Sequence, residues 1–282
     1  MPDLVADRDR PSRVAAELLA AGYRETAHDR ASYCPPGMPS VVACIGSSST
    51  AAKGSYDWIA DLRARPENTA VTLLNFGVGG DLAFNARERL PAVLRRRPDK
   101  LVVLVGGNDV LTRVSTKLKR FLGTWKRLPR EPSAAWYENN LRQIARDAKR
   151  SGADVALCSL VPIGEAPDST EPFQAEINRL LDEYAGIIER VSHDEDATYV
   201  PVYERLLGPI RASPGRALRD IEIASMYRDA FRLLVLRWSL DKVAERNGWR
   251  FHTDGIHLNS TGGRIVADAV QEFFRARPSG AL

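Results

Sequence analysis

The chain has 282 residues, 44% of them hydrophobic and 27% charged, which supports a sizeable core and excludes a disordered or fibrous protein. A formal charge of +4 with a pI near 9.0 is a mild basic excess. Its one compact basic run, Arg95-Arg96-Arg97, has no aromatic residues interleaved, so it reads as a solvated helix end and no nucleic-acid partner is expected.

Residues 1–38 carry a helical pattern around SRVAAELLAAGY and then the turn-rich CPPGMP, read as an N-terminal helical extension. Short apolar, β-branched runs then recur: VVACI (41–45), AVTLLNF (70–76), KLVVLVG (100–106), DVALCSL (154–160) and TYVPV (198–202). Each is continuous rather than alternating, as strands buried on both faces of a parallel sheet are. Helical patterns separate them: YDWIADLRAR, DLAFNARERLPAVLRR, AAWYENNLRQIARDAKRSG and EPFQAEINRLLDEYAGIIERV. Ser133 and Gly152 bracket the third as cap residues. This alternation predicts a three-layer α/β/α sandwich with a mainly parallel five-stranded sheet, one domain over residues 39–278. Residues 213–247 interrupt it as a helical insertion, a long helix or a helix pair. Met226, Phe231, Leu234, Trp238 and Val243 give it an apolar stripe suited to a packed helix, a lid or a homodimer face. After GWRF comes HTDGIHLN (252–259), leading into a last helix, STGGRIVADAVQEFF.

Cys34, Cys44 and Cys158 are an odd count without CxxC spacing, and two of them lie in apolar runs, which suits reduced thiols rather than a disulfide frame or zinc knuckle. The stretch MPDLVADRDRPSRV lacks a charged region followed by an apolar core, so no signal peptide is expected. No apolar segment is long enough to span a bilayer. The expectation is a cytoplasmic protein without membrane contact.

In open α/β sheets, functional residues gather beyond the carboxyl ends of the strands. Here those ends read GSSST (46–50), NFGVGGD (75–81) and GGND (106–109). Phosphate-binding turns fail on spacing: Ala51 and Ala52 stand where a P-loop needs Gly-Lys, and Leu82 replaces the third glycine of a dinucleotide fingerprint. Acyl transfer fits better. A serine needs a base, and the base needs an orienting carboxylate; Asp254 and His257 lie three residues apart before a helix. Gly80 can offer a backbone N–H and Asn108 a carboxamide to a developing oxyanion. His28 and His193 read as solvated, and His252 as a pocket wall or a loop hydrogen-bond partner; neither HExxH nor a third ligand near His252 and His257 supports a metal site, and no cofactor is expected.

These four blocks, Gly46 to Thr50, Asn75 to Asp81, Gly106 to Asp109 and Asp254 to His257, resemble in order those of the SGNH hydrolases, the GDSL esterase and lipase family. The resemblance runs from about residue 40 to residue 276 and covers 213–247 poorly. It implies the flavodoxin-like fold of that family, with Ser48 as nucleophile, His257 as general base and Asp254 as its orienter. The Ser48 and Gly80 N–H groups and the Asn108 side chain would form the oxyanion hole, while Asn75 and Asp81 would hold turns in shape. Ser47 departs from the pattern, where the family usually has aspartate; Gly46 and Thr50 keep the register on Ser48. The expected substrate is a small-molecule carboxylic ester, cleaved through an acyl-enzyme. The alternatives are acyl transfer to another alcohol with the same residues, or a catalytically silent binding module of this fold.

Overall fold

In the computed structural model, which describes residues 40–221 and 223–275, the five apolar runs become five strands. They are β1 (Ser40–Gly46), β2 (Val71–Gly77), β3 (Lys100–Leu104), β4 (Asp154–Cys158) and β5 (Thr198–Val200). All pair in parallel, in the order β2-β1-β3-β4-β5. The continuous apolar runs are explained by the pleat, since successive side chains point to opposite faces and both faces are covered. Ala43, Ile45, Leu101, Val103, Val155 and Leu157 enter one core, and Val42, Cys44, Val102, Leu104, Ala156 and Cys158 the other.

The first core is covered by α2 (Ala83–Leu94), α5 (Ala134–Arg150) and α6 (Pro172–Asp194), through Leu90, Ile144 and Leu180 among others. The second is covered by α1 (Trp58–Ala64), α7 (Val202–Ala212) and α10 (Ser260–Arg275), through Ile59, Leu206 and Val270. The chain is thus the three-layer α/β/α sandwich with a five-stranded parallel sheet that the alternation predicts. Helix starts follow local chemistry: the Ser133 hydroxyl accepts the Trp136 N–H at 3.2 Å and caps α5. The sheet order changes direction between β1 and β3, and a crevice opens at such a switch point.

Three features add to or depart from that pattern. Residues 111–131, where the alternation places no element, hold the end of α3 (Gly107–Val114) and all of α4 (Thr116–Trp125). The fifth apolar run yields only a three-residue strand, because Val202 already begins α7. Residues 213–247 hold the helix pair that the sequence left open beside a single long helix, α8 (Ile223–Leu234) and α9 (Leu240–Asn247), and their apolar stripe is not buried as a unit. Val243 is buried, but Phe231 and Leu234 are 54% and 73% exposed. The reason is polar docking: the buried Asp229 accepts Arg232 Nη1 and Asn247 Nδ2, each at 2.8 Å, so α8 is held by its charged face. The expected N-terminal helix over 1–38, with Cys34 and His28, lies outside the described residues, as does the side chain of Met226.

Candidate active site

Ser48 sits at the end of β1, on a turn pressed against its neighbours. A Cβ on Gly46 would lie 2.2 Å from Thr50 Oγ1 and 2.3 Å from the Leu104 carbonyl oxygen; one on Gly77 would lie 2.2 Å from the Ala51 nitrogen. Only glycine allows that approach. Asn75, from β2, locks the turn: its Nδ2 donates to the Thr50 carbonyl and its Oδ1 accepts the Gly77 N–H, both at 2.8 Å. The turn closes on itself through Ala51 N–H to the Ser47 carbonyl at 2.9 Å.

The end of β2 carries Gly80 at φ +77°, with the Trp125 ring so close that a Cβ would lie 2.4 Å from it. Next to it Asp81 is buried between Lys126 Nζ and Arg89 Nε, each at 2.8 Å. The Asp81 carbonyl accepts Asn108 Nδ2 at 2.9 Å. Asn108 lies in the first turn of α3 rather than in β3 itself. That helix starts so sharply because Gly106 adopts φ +135°, and a Cβ there would lie 2.8 Å from both Leu160 and Tyr137 side-chain atoms. Asp109 turns back into the core, where its carboxylate accepts the Ala83 N–H at 3.1 Å; burial pushes this carboxyl up to about 7. Among the described residues, the Ser48 and Gly80 N–H groups have no hydrogen-bond acceptor.

The remaining groups come from an irregular turn. Thr253 N–H bonds the His257 carbonyl at 2.6 Å, Asn259 N–H bonds the Phe251 carbonyl at 3.0 Å, and Gly255 takes φ +90° between them. Asp254 Oδ1 accepts the N–H groups of Ile256 at 2.9 Å and His257 at 2.8 Å, while Oδ2 faces His257 Nδ1 at 2.7 Å. His257 Nε2 lies 2.9 Å from Ser48 Oγ. With Nδ1 donating to the carboxylate, Nε2 presents its lone pair to the serine hydroxyl. Burial opposes charge on both partners, but attraction prevails: the pair holds the Asp254 carboxyl at about 2 and raises His257 above the ordinary histidine value.

A small apolar cleft of about 30 Å³ opens beside Ser48, walled by Leu111, Leu160, Val161, Ile163 and Ile256. Ile256 and Asp254 also border a polar cavity of about 790 Å³ that includes Arg216, Arg228 and Trp249.

The structure therefore brings Ser48, His257 and Asp254 into one hydrogen-bonded chain, with Asn108 tied to the residue after Gly80. His193 is exposed. His252 is wholly buried and lines neither cavity, so it is a loop hydrogen-bond partner and not a pocket wall. Among the described residues, no group of three or more His, Cys, Asp or Glu side chains could hold a metal. Also among them, no helix is long and apolar enough to cross a membrane. Sequence reasoning missed Glu165, which is wholly buried against His252. Its setting, PIGEAPD, reads as a polar loop, and nothing local signals a buried carboxylate.

The sequence model of the GDSL-like lipase/acylhydrolase family matches residues 40–265. Esterase TesA of Pseudomonas aeruginosa is 26% identical over 173 residues, covering 59% of this chain and 72% of that protein. Among solved structures, Axe2, an acetylxylan esterase from Geobacillus stearothermophilus, superposes with a TM-score of 0.59 at 15% identity, covering 86% of this chain and 96% of that one. LAE5, an α/β hydrolase from the metagenome of Lake Arreo, gives 0.56 at 18% identity over 84% and 95%. These two likenesses concern the fold. The family match spans most of the chain and includes all four strand-end and turn blocks, so the protein belongs to the GDSL-like lipase/acylhydrolase family and is a carboxylic ester hydrolase.

Proposed function

We propose that Ser48 cleaves esters of short carboxylic acids through an acyl-enzyme, with His257 as general base and Asp254 as its orienter. The observation that carries this reading is the unbroken chain Ser48 Oγ, His257 Nε2, His257 Nδ1, Asp254 Oδ2, with links of 2.9 and 2.7 Å. Ser48 Oγ attacks the ester carbonyl carbon as its proton passes to His257 Nε2. The resulting imidazolium is stabilised by the Asp254 carboxylate. Collapse of the tetrahedral adduct breaks the bond to the alcohol oxygen, which takes the proton from Nε2 and leaves. Water then gives a proton to the same nitrogen and its oxygen to the acyl carbon; the second collapse returns the proton to Ser48 and frees the acid.

The Ser48 and Gly80 N–H groups and Asn108 Nδ2 are the donors for the oxyanion in both steps. The two backbone groups have no acceptor among the described residues, and Asn108 uses one Nδ2 hydrogen on Asp81 and keeps the other. The acyl group faces the cleft walled by Leu111, Leu160, Val161, Ile163 and Ile256, whose 30 Å³ is an order of magnitude below a typical ligand pocket. That size suits an acetyl methyl and rejects a fatty chain.

The test is p-nitrophenyl ester hydrolysis across acyl lengths, with rapid mixing on the acetate. The expected result is a burst of nitrophenol close to one per chain and a kcat/KM that falls at least tenfold from the acetyl to the octanoyl ester. A flat or rising profile would remove the short-acyl assignment, and absence of turnover on every ester would remove the hydrolytic one.

A further inference from the structure

Among the described residues the turn that carries Asp254 and His257 belongs to no strand of the sheet, yet it must hold a 2.9 Å contact to a serine at the end of β1. What lies beneath it is one carboxylate. Glu165 is 0% exposed, and its Oε1 accepts the N–H groups of Arg250 at 3.0 Å, Phe251 at 2.7 Å and His252 at 3.0 Å, with Oε2 sharing the first at 3.0 Å. The same Oε1 faces His252 Nδ1 at 2.9 Å. On the far side of that ring, His252 Nε2 faces the Pro162 carbonyl at 2.8 Å. A carboxylate and a carbonyl only accept, so both ring nitrogens must donate, and the imidazolium form satisfies both.

The backbone of Glu165 is fixed in turn. Its N–H bonds the Arg216 carbonyl at 2.9 Å, and its carbonyl accepts the Gly215 N–H at 2.7 Å. Gly215 also closes over the carboxylate, since a Cβ there would lie 2.4 Å from Oε2. One residue earlier, Gly164 N–H bonds the carbonyl of Gly255, inside the Asp254–His257 turn, at 2.7 Å. Trp249 closes the other side of the His252 ring, its centroid 6.1 Å away, edge to face. Burial works to raise the Glu165 carboxyl, but the hydrogen bond and charge of His252 hold it below the usual carboxylate range.

We propose that Glu165 and His252 are a buried ion pair that positions the Asp254–His257 turn against Ser48, so that they serve the reaction without touching substrate. The pair ties the segment 162–165 to 250–252 by five contacts, and the Gly164–Gly255 bond carries that placement to the turn itself. His257 then approaches Ser48 along a line fixed two residues before Asp254 begins. A shift of the turn by about 1 Å is enough to cost roughly a hundredfold in rate. Charge matters here as well as shape. A neutral glutamine in place of Glu165 keeps most of the acceptor geometry but removes the partner of the imidazolium. A neutral His252 would then turn a lone pair toward either Pro162 or residue 165.

The inference rests on Ser48, His257 and Asp254 being the reacting groups. Its test separates the two claims, because the variants are scored only against wild-type protein that turns over the ester in the same assay. Glu165→Gln and His252→Gln are assayed on p-nitrophenyl acetate below their melting temperatures, with active chains counted by the nitrophenol burst. The expected result is a kcat lower by 10- to 100-fold per active chain with KM within twofold of wild type. A kcat within twofold of wild type would show that the pair only stabilises the fold and would overturn the proposal. If neither variant folds, ¹⁵N-resolved NMR of the wild-type histidine rings decides. Protons on both nitrogens of His252 at neutral pH support the pair, and a neutral ring overturns it. Loss of turnover in the wild type itself would count against the esterase reading and leave the ring assignment to the NMR.

Discussion

The two halves of the proposed active site are built by different means. Ser48, Gly80 and Asn108 stand on three adjacent strand ends, where the parallel ladder fixes the relative height of β1, β2 and β3 and close-approach glycines fix the turns. Asp254 and His257 stand on an irregular turn with no ladder beneath it, held by a buried carboxylate and by backbone bonds across the turn. A sheet distributes placement over many equivalent backbone bonds, so single side chains matter little there unless glycine is required. A turn concentrates placement on a few groups, so each of them matters.

That contrast can be broken by substitution. The largest effects belong to the groups that meet across the two halves. Ser48→Ala and His257→Ala should each lower kcat on an acetyl ester by about 10⁴-fold or more. On the sheet side, Asn108→Ala removes one proposed oxyanion donor and should cost about 10²- to 10³-fold in kcat with little change in KM. Steady-state kinetics on the same ester checks both.

Gly46→Ala is the test of the ladder itself. The added Cβ would meet the Leu104 carbonyl at 2.3 Å, and strand backbone cannot yield without breaking the β1–β3 register. A loss of about 1–3 kcal/mol is expected in urea unfolding. A shift within experimental error would show that the turn is looser than the close approach requires.

The pH profile probes the turn side. The Asp254 carboxylate outweighs the burial of His257 and raises its affinity for a proton. The proposed base therefore stays protonated to higher pH, and in the proposed reaction only its neutral form accepts the proton of Ser48. The rising limb of kcat/KM should have its midpoint above the ordinary histidine value of 6.5. A midpoint below that value would mean that burial, not Asp254, governs the ring.

The smallest effect is expected far from both halves. Phe231 is 54% exposed on α8, whose charged face does the docking, so Phe231→Ser should leave the melting temperature within about two degrees of wild type. A larger drop would place the aromatic ring in a contact that α8 does not make here.

The sequence legibility follows the same division. Period-2 side chains buried on both faces made the strands visible as continuous runs, and Gly46, Thr50, Asn75, Gly106 and Asn108 are informative because each turn tolerates few alternatives. Asp254 and His257 were visible through their spacing ahead of a helix with Ser-Thr-Gly-Gly at its start. Glu165 was not, because it lies 87 positions from His252 in sequence and only the folded chain shows that they meet. Helices α3 and α4 were also missed: a helix starting at Gly106-Gly107 is set by a φ of +135° and by packing on Tyr137, which local propensity does not encode. The stripe of α8, which periodicity left open between a packed helix, a lid and a dimer face, is exposed because the buried polar contacts of Asp229 hold the helix by its other side.

The central claim is that Ser48, among the three adjacent serines of GSSST, is the nucleophile activated by His257. A fluorophosphonate probe followed by peptide mapping tests it directly. The account predicts a single adduct on Ser48 in the folded wild-type protein and none in His257→Ala over the same time. An adduct on Ser47 or Ser49, or no adduct on the folded protein, would contradict it.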